Sequence, residues 1–521
     1  MVMDRSASRR LALPGLVLLT LALIYLIAWS TGSGGSSAAV SSTAPRTAPV
    51  TAVTRDCPPP GSGAGQAHVA MLSAPPRGAG TGKTGSAGKT SSAGKTPSAR
   101  KATGTGKDRG STALTAIPSA SGSGGGASVS TAGPAVPDAV GVFSPPQAPR
   151  HAATEVTASG QLAQGFAAEQ ATANGTGTVT CTHPGSDAWF VGTGTTAGAS
   201  ATWLYLMNSG AIAASADVTV LTDAGVQSGK DNEVTVAPHR YLSVNIASLA
   251  HGSTVLAVHV QTSSGQVAAD AWQDGGSGGA WLPASSSPAT HLVLPGVRAA
   301  SGVAKLLVAV PGARDAQLRV TALTARGKLQ PLGTMPQDAP AAAASAFPLS
   351  SLGASATTLV VNSSVPVTAG ALVPGNGIGG FTAASAPLTG QGVVAGNPSG
   401  SGETAGLVLS APDAGARAAI TVLPQLAGPG GPPVSPSPRK TLTVKSGHTV
   451  QVAVSPPKGP KGPFAIVVTP LSGSGPLYAA RMVVSGGDGL SGTLQSLLPV
   501  PSAPAVVQLP SASDNYSAVL P

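Results

Sequence analysis

The chain has 521 residues and a formal net charge of +10, yet only 9% of its residues are charged and 3% aromatic. The excess charge is concentrated: Arg77 to Arg109 holds eight basic residues against the one acid Asp108, in a Gly/Ser-rich tract. A groove that tracks nucleic acid needs its cations on a folded surface, so the distribution argues against that partner. It reads instead as a solvated linker, with an anionic wall polymer as the partner its charge would suit.

Taken in order, residues 1–10 carry Arg5, Arg9 and Arg10, and residues 11–29, "LALPGLVLLTLALIYLIAW", carry no charge. A run of that length spans a hydrocarbon core. Basic residues precede it and none follows until Arg46, which predicts a cytoplasmic N-terminus and an extracytoplasmic remainder. The run exceeds the apolar region of a cleaved signal, about 7–15 residues, and no A-x-A site follows Trp29. The expectation is an uncleaved membrane anchor over 11–29 and a linker over 30–47. Export bears on the two cysteines, Cys57 and Cys181. In an oxidising compartment they most simply form one disulfide. Closing so long a loop is worth on the order of 4–5 kcal/mol in the chain-entropy model.

Strand-like runs over 48–75 open the first folded module. The Gly/Ser/Lys-rich stretch 76–137 reads as a disordered insertion into it. Within that stretch "GTGKTGSAGKTSSAGKT" repeats Gly-Lys-Thr three times. A phosphate-binding loop needs a glycine five residues before the Gly-Lys pair, and those positions hold Arg77, Lys83 and Lys89. The stretch is a linker.

Beyond Cys181 the pattern has period two. Val218 and Val220 share a face, as do Leu242, Val244 and Ile246, and Leu256, Val258 and Val260. A weak internal repeat follows: "TWLYLMNSGAIAASADVTVLTDAG", "KLLVAVPGARDAQLRVTALTARG" and "TAGLVLSAPDAGARAAITVL" open successive units. The predicted fold is all-β: three tandem immunoglobulin-like sandwiches over 138–290 (completed by 48–75), 291–380 and 381–490, then a tail over 491–521. A β-propeller of four-stranded blades is the alternative.

Chemistry is sparse. The only glutamates are Glu155, Glu169, Glu233 and Glu403, and the eight histidines fall in no metal-binding spacing. A G-x-S-x-G match, Gly275 to Gly279 around Ser277, sits in a Gly-rich loop instead of a strand-to-helix turn. No catalytic residue, metal ligand or cofactor is assigned. Trp189, Phe190, Trp203, Tyr205, Tyr241, Trp272 and Trp281 all fall in one unit. Trp189 and Trp203 read as core, and His259 as an exposed strand residue. Trp272 and Trp281 flank the Gly-rich loop, and they are the candidate exposed surface for a sugar or a protein partner.

"CTHPGSDAWFVGTG", with Cys181, Pro184, Trp189, Phe190 and Gly192, resembles a family, as do "LYLMNSG", Val234 to Pro238 and the upstream pair Cys57-Pro58. It is the domain-of-unknown-function 5719 family, secreted membrane-anchored proteins of high-GC Gram-positive bacteria. The resemblance spans roughly residues 48 to 490. It implies an envelope location and a membrane glycosyltransferase or other envelope protein as partner, and it brings no catalytic residues. The expected function is a non-catalytic, membrane-anchored scaffold or adaptor for protein or glycan. A cell-wall hydrolase with dispersed catalytic residues is the alternative.

Overall fold

A computed structural model of the chain describes residues 46–61, 67–74, 110–120, 140–143, 152–172, 177–195, 199–227, 232–246, 250–275, 278–300, 302–400, 402–425, 437–457 and 462–509. The expected anchor (11–29), residues 30–45 of the linker expected over 30–47, the Gly-Lys-Thr tract and Ser277 lie outside these residues; the linker's last two residues belong to strand Arg46–Pro49. Among the described residues no helix is long and apolar enough to cross a membrane. Residues 49–506 form one compact unit; the other takes in the chain ends, where strands Arg46–Pro49 and Val506–Leu509 pair.

The fold is all-β, and the 49–506 unit repeats one plan four times. In the second repeat the first sheet runs Gly225–Gln227, Ala214–Thr222, Val255–Ser264, Asp187–Thr193, with Glu233–Val236 also on Ala214–Thr222. The facing sheet runs Arg240–Asn245, Ala199–Asn208, Ala268–Gly275, Gly278–Leu282. Successive strands thus cross between two sheets. A propeller blade would keep them in one meander, so the strand order is that of a sandwich. The fourth repeat copies the plan: Gly392–Asn397, Phe464–Pro470, Ala416–Leu423, Lys440–Val444 against His448–Val454, Glu403–Ala411, Tyr478–Ser485, Thr493–Pro499. In the third, the 17-residue strand Thr357–Val373 serves both sheets, pairing with Ala289–Val297 and Ala316–Thr324 early and with Ala304–Val310 and Gly380–Ala383 late.

The first repeat departs from the expected boundaries. Ala52–Cys57, Ala153–Ser159 and Thr112–Ile117 form one sheet; Gly141–Phe143, Ala67–Ser73, Phe166–Thr172 and Val179–Thr180 form the other. The runs over 48–75 therefore do not complete a sandwich with residues 187–282; they belong to a separate repeat with its own core of Val69, Met71, Leu114, Val156 and Phe166. Strand Thr112–Ile117 also falls inside the stretch expected to be disordered. Leu114 and Ile117 are buried there, and the strand lies against Ala153–Ser159 over its whole length. Six residues of "TALTAI" carry enough apolar surface to complete a sheet edge, although Gly/Ser-rich sequence surrounds them. At the other end Thr493–Pro499, assigned above to a tail, is the last strand of the fourth repeat, with Leu494, Leu497 and Leu498 buried.

The period-two pattern positions the side chains as expected. Val218, Val220, Leu256, Val258, Val260 and Ile246 are buried in the second repeat, and Leu242 and Val244 pack against that core. Several strands are buried on both faces because each repeat packs on others. Apolar clusters join the first repeat to the second and fourth, the second to the third, and the third to the fourth.

Candidate functional site

The joint between the first and second repeats gathers the chain's unusual chemistry. Its apolar floor is Ile117, Ala153 and Val179 from the first repeat against Tyr205, Met207, Tyr241, Ala268, Trp272 and Trp281 from the second. Trp272 and Trp281 meet edge to face, with ring centroids 5.0 Å apart, and Tyr205 lies 5.9 Å from Trp281. The two tryptophans are therefore not an exposed platform: they are 3% and 5% exposed. The glycines around them explain the difference. A Cβ on Gly61 would come within 2.6 Å of the Trp272 ring, and one on Gly279 within 2.3 Å. Gly279 in strand Gly278–Leu282 and Gly61, in the segment after Cys57, seat the indole between two bare backbones. Trp272 Nε1 donates to Asp274 Oδ1 at 2.5 Å, which meets its polar requirement in the buried site.

The neighbouring first-repeat core holds the disulfide Cys57–Cys181. Both sulfurs belong to buried residues in the first repeat's core. The residues beside them pair as a short antiparallel bridge: Asp56 N–H donates to Thr182 O at 2.7 Å, and Thr182 N–H to Asp56 O at 3.0 Å. Each of the two then contacts the second repeat through its side chain. Ser209 Oγ donates to Asp56 Oδ2 at 2.9 Å, and Thr182 Oγ1 donates to Asp270 Oδ2 at 3.2 Å. Asp56 is fully buried and Asp270 3% exposed.

Burial dominates the electrostatics of both carboxyls. It pushes Asp56 up to about 7; Glu155, directly across the strand pair, adds to the rise, while the Ser209 hydrogen bond and Arg55 oppose it. Asp270 is raised well above the carboxylate range by burial, and the neighbouring Asp56 charge raises it further against the Thr182 hydrogen bond. Glu155 is raised by burial and drawn down by His239. Arg55 and His183 are lowered, each mainly by burial. Burial thus moves these carboxyls toward the neutral acid.

Two acids sealed between repeats lack the open position on either side of a scissile bond that a glycosidase pair needs. Among the described residues no three His, Cys, Asp or Glu side chains come together as a metal site. A second cluster lies on the first sheet of the second repeat. His259 Nε2 meets Asp187 Oδ1 at 2.7 Å, and its ring stacks on Trp189 with centroids 3.9 Å apart. Ser287 Oγ donates to the other Asp187 oxygen at 3.2 Å. The hydroxyl thus reaches the carboxylate and not the imidazole, so the order needed to activate a serine is missing. Trp189 is buried as expected, partly under His259, which is itself half-buried.

Sequence reading paired Cys57 with Cys181 but passed over Asp56, Thr182, Ser209 and Asp270. The available signal was Asp270, a lone acid in the apolar strand "AADAW", and Asp56 adjoining the cysteine in "RDC". Residues 142–455, from the first repeat into the fourth, match the family described as "Family of unknown function (DUF5719)". The chain belongs to this family. No curated protein matches it significantly.

Proposed function

We propose that this member of the DUF5719 family is a non-catalytic, extracytoplasmic scaffold, held to the membrane by residues 11–29, that presents a rigid array of β-sandwiches to an envelope protein or glycan. One observation carries the reading: neighbouring repeats share cores and buried polar clamps. Leu307, Ala309 and Phe381 of the third repeat enter the core of the second. Arg298 of the third donates to the carbonyls of Leu490 and Gly492 in the fourth. Tandem domains more usually meet through small polar interfaces that leave them free to move. A chain that locks its modules keeps their outer surfaces at fixed spacing, as an assembly platform must. The buried disulfide suits the oxidising side of a membrane. A membrane glycosyltransferase is the partner of first choice.

The test is twofold. Site-specific crosslinking from the outer sheets in intact cells should trap one dominant envelope partner, and purified chain should release no soluble fragments from labelled wall glycan. Glycan release that a single carboxylate substitution abolishes would establish a hydrolase instead.

A further inference from the structure

The joint between the first and second repeats is built unlike a plain apolar contact. Two carboxyls enter it, and each is met by a hydroxyl that crosses the joint or lies in the segment joining the repeats: Ser209 on Asp56, Thr182 on Asp270. The second oxygen of Asp56 has no hydrogen-bond partner and no solvent. In the neutral acid that oxygen carries the proton. In the carboxylate it holds charge with nothing to receive it. The groups acting on the pair are Arg55, adjacent in the strand, Glu155, opposite Asp56 on the paired strand, and the two acids on each other. His239 acts on Glu155, and Arg55 on His183. No ion pair to a cation neutralises Asp56 or Asp270 among the described residues. The disulfide joins the residues next to Asp56 and Thr182 within the first repeat, so that repeat keeps its own strands together when the joint slackens.

We propose that Asp56 and Asp270 form a proton-operated latch: protonated, they close the joint between the first and second repeats; ionised, they loosen it, while Cys57–Cys181 keeps the first repeat itself closed. A carboxyl whose folded pKa exceeds its unfolded value stabilises the fold fully below the unfolded value. It loses that contribution as pH rises through the folded one. For Asp56 the window runs from the ordinary carboxylate range up to about 7, and Asp270, also raised, acts in the same direction. The scaffold is tight in an acidic envelope and slack in an alkaline one.

The experiment follows thermal unfolding and backbone amide exchange of the full chain from pH 5 to 9, for wild type, Asp56→Asn and Asp270→Asn. Asparagine mimics the neutral acid and cannot ionise. Wild type should lose about 4 °C of melting temperature as pH rises through 7, with faster exchange at residues 52–57 and 180–182. Asp56→Asn should lose most of that dependence and melt above wild type at pH 9. A flat wild-type profile, or an Asp56→Asn profile parallel to wild type, overturns the proposal. So does a rise in wild-type melting temperature with calcium chloride at pH 8 that both variants lack, which would assign the pair to a cation. Should the variants fail to fold, the infrared band of protonated carboxyls in wild type decides. Loss of band intensity near pH 7 supports the latch; an unchanged band from pH 5 to 9 overturns it.

Discussion

The joint between the third and fourth repeats and the joint between the first and second solve the same packing problem with opposite chemistry. In the former, Leu292, Leu294 and Val361 run into Val408, Met482, Leu494 and Leu497 as one apolar core. Its buried charge, Arg298, donates from Nη1 and Nη2 to the carbonyls of Leu490 and Gly492. A guanidinium keeps its proton across the physiological range even when burial lowers its pKa. The latter joint has an aromatic floor and two carboxyls that titrate, with a disulfide beside it in the first repeat. The contrast teaches that four copies of one plan are not mechanically equal: one joint is set by packing and by a cation that keeps its proton, the other by packing and proton activity.

The largest test of that difference is Trp272→Ala, which empties the aromatic floor between Gly61 and Gly279. It should cost about 3–5 kcal/mol in denaturant unfolding and accelerate amide exchange in the first two repeats before the last two. Removing the disulfide with Cys57→Ala and Cys181→Ala should cost about 2–5 kcal/mol, with exchange again faster in the first repeat. Equal loosening at the joint of the third and fourth repeats would break the comparison. Arg298→Ala leaves two partly buried carbonyls without their donor and should cost about 1–3 kcal/mol, felt in the fourth repeat and unchanged between pH 5 and 8. The smallest effect belongs to His259→Ala, which removes a partly solvated pair with Asp187 in neither joint; it should shift stability by under about 1 kcal/mol, read from the same unfolding curves.

How far the sequence discloses this follows from its periodicity. Alternation shows which residues share a face, so Val218, Val220, Leu256 and Val258 could be placed inward from the chain alone. It does not show whether the opposite face meets water or another repeat. Ala268 to Gln273 is buried at every position, because one face packs on its own sandwich and the other on the first repeat. Asp270 and Trp272 therefore read as outward residues while lying inside the molecule. The indole looked exposed because glycines flanked it, and those glycines are what admit it. Strand Thr112–Ile117 escaped for a related reason: six residues buried by a distant partner leave little mark within Gly/Ser-rich surroundings. The cysteine pair was legible because only two thiols exist.

The bond between those thiols closes a covalent ring spanning a sequence separation of 124 residues, and every basic residue from Arg77 to Arg109 lies within it. A protease cutting once at any of those lysines or arginines severs the backbone without dividing the molecule. The segment before the cut and the three later repeats stay joined through sulfur. The tract can thus be trimmed, replaced or lengthened in evolution while the covalent chain stays whole, and a cut within the ring divides the molecule only when a reductant acts with it.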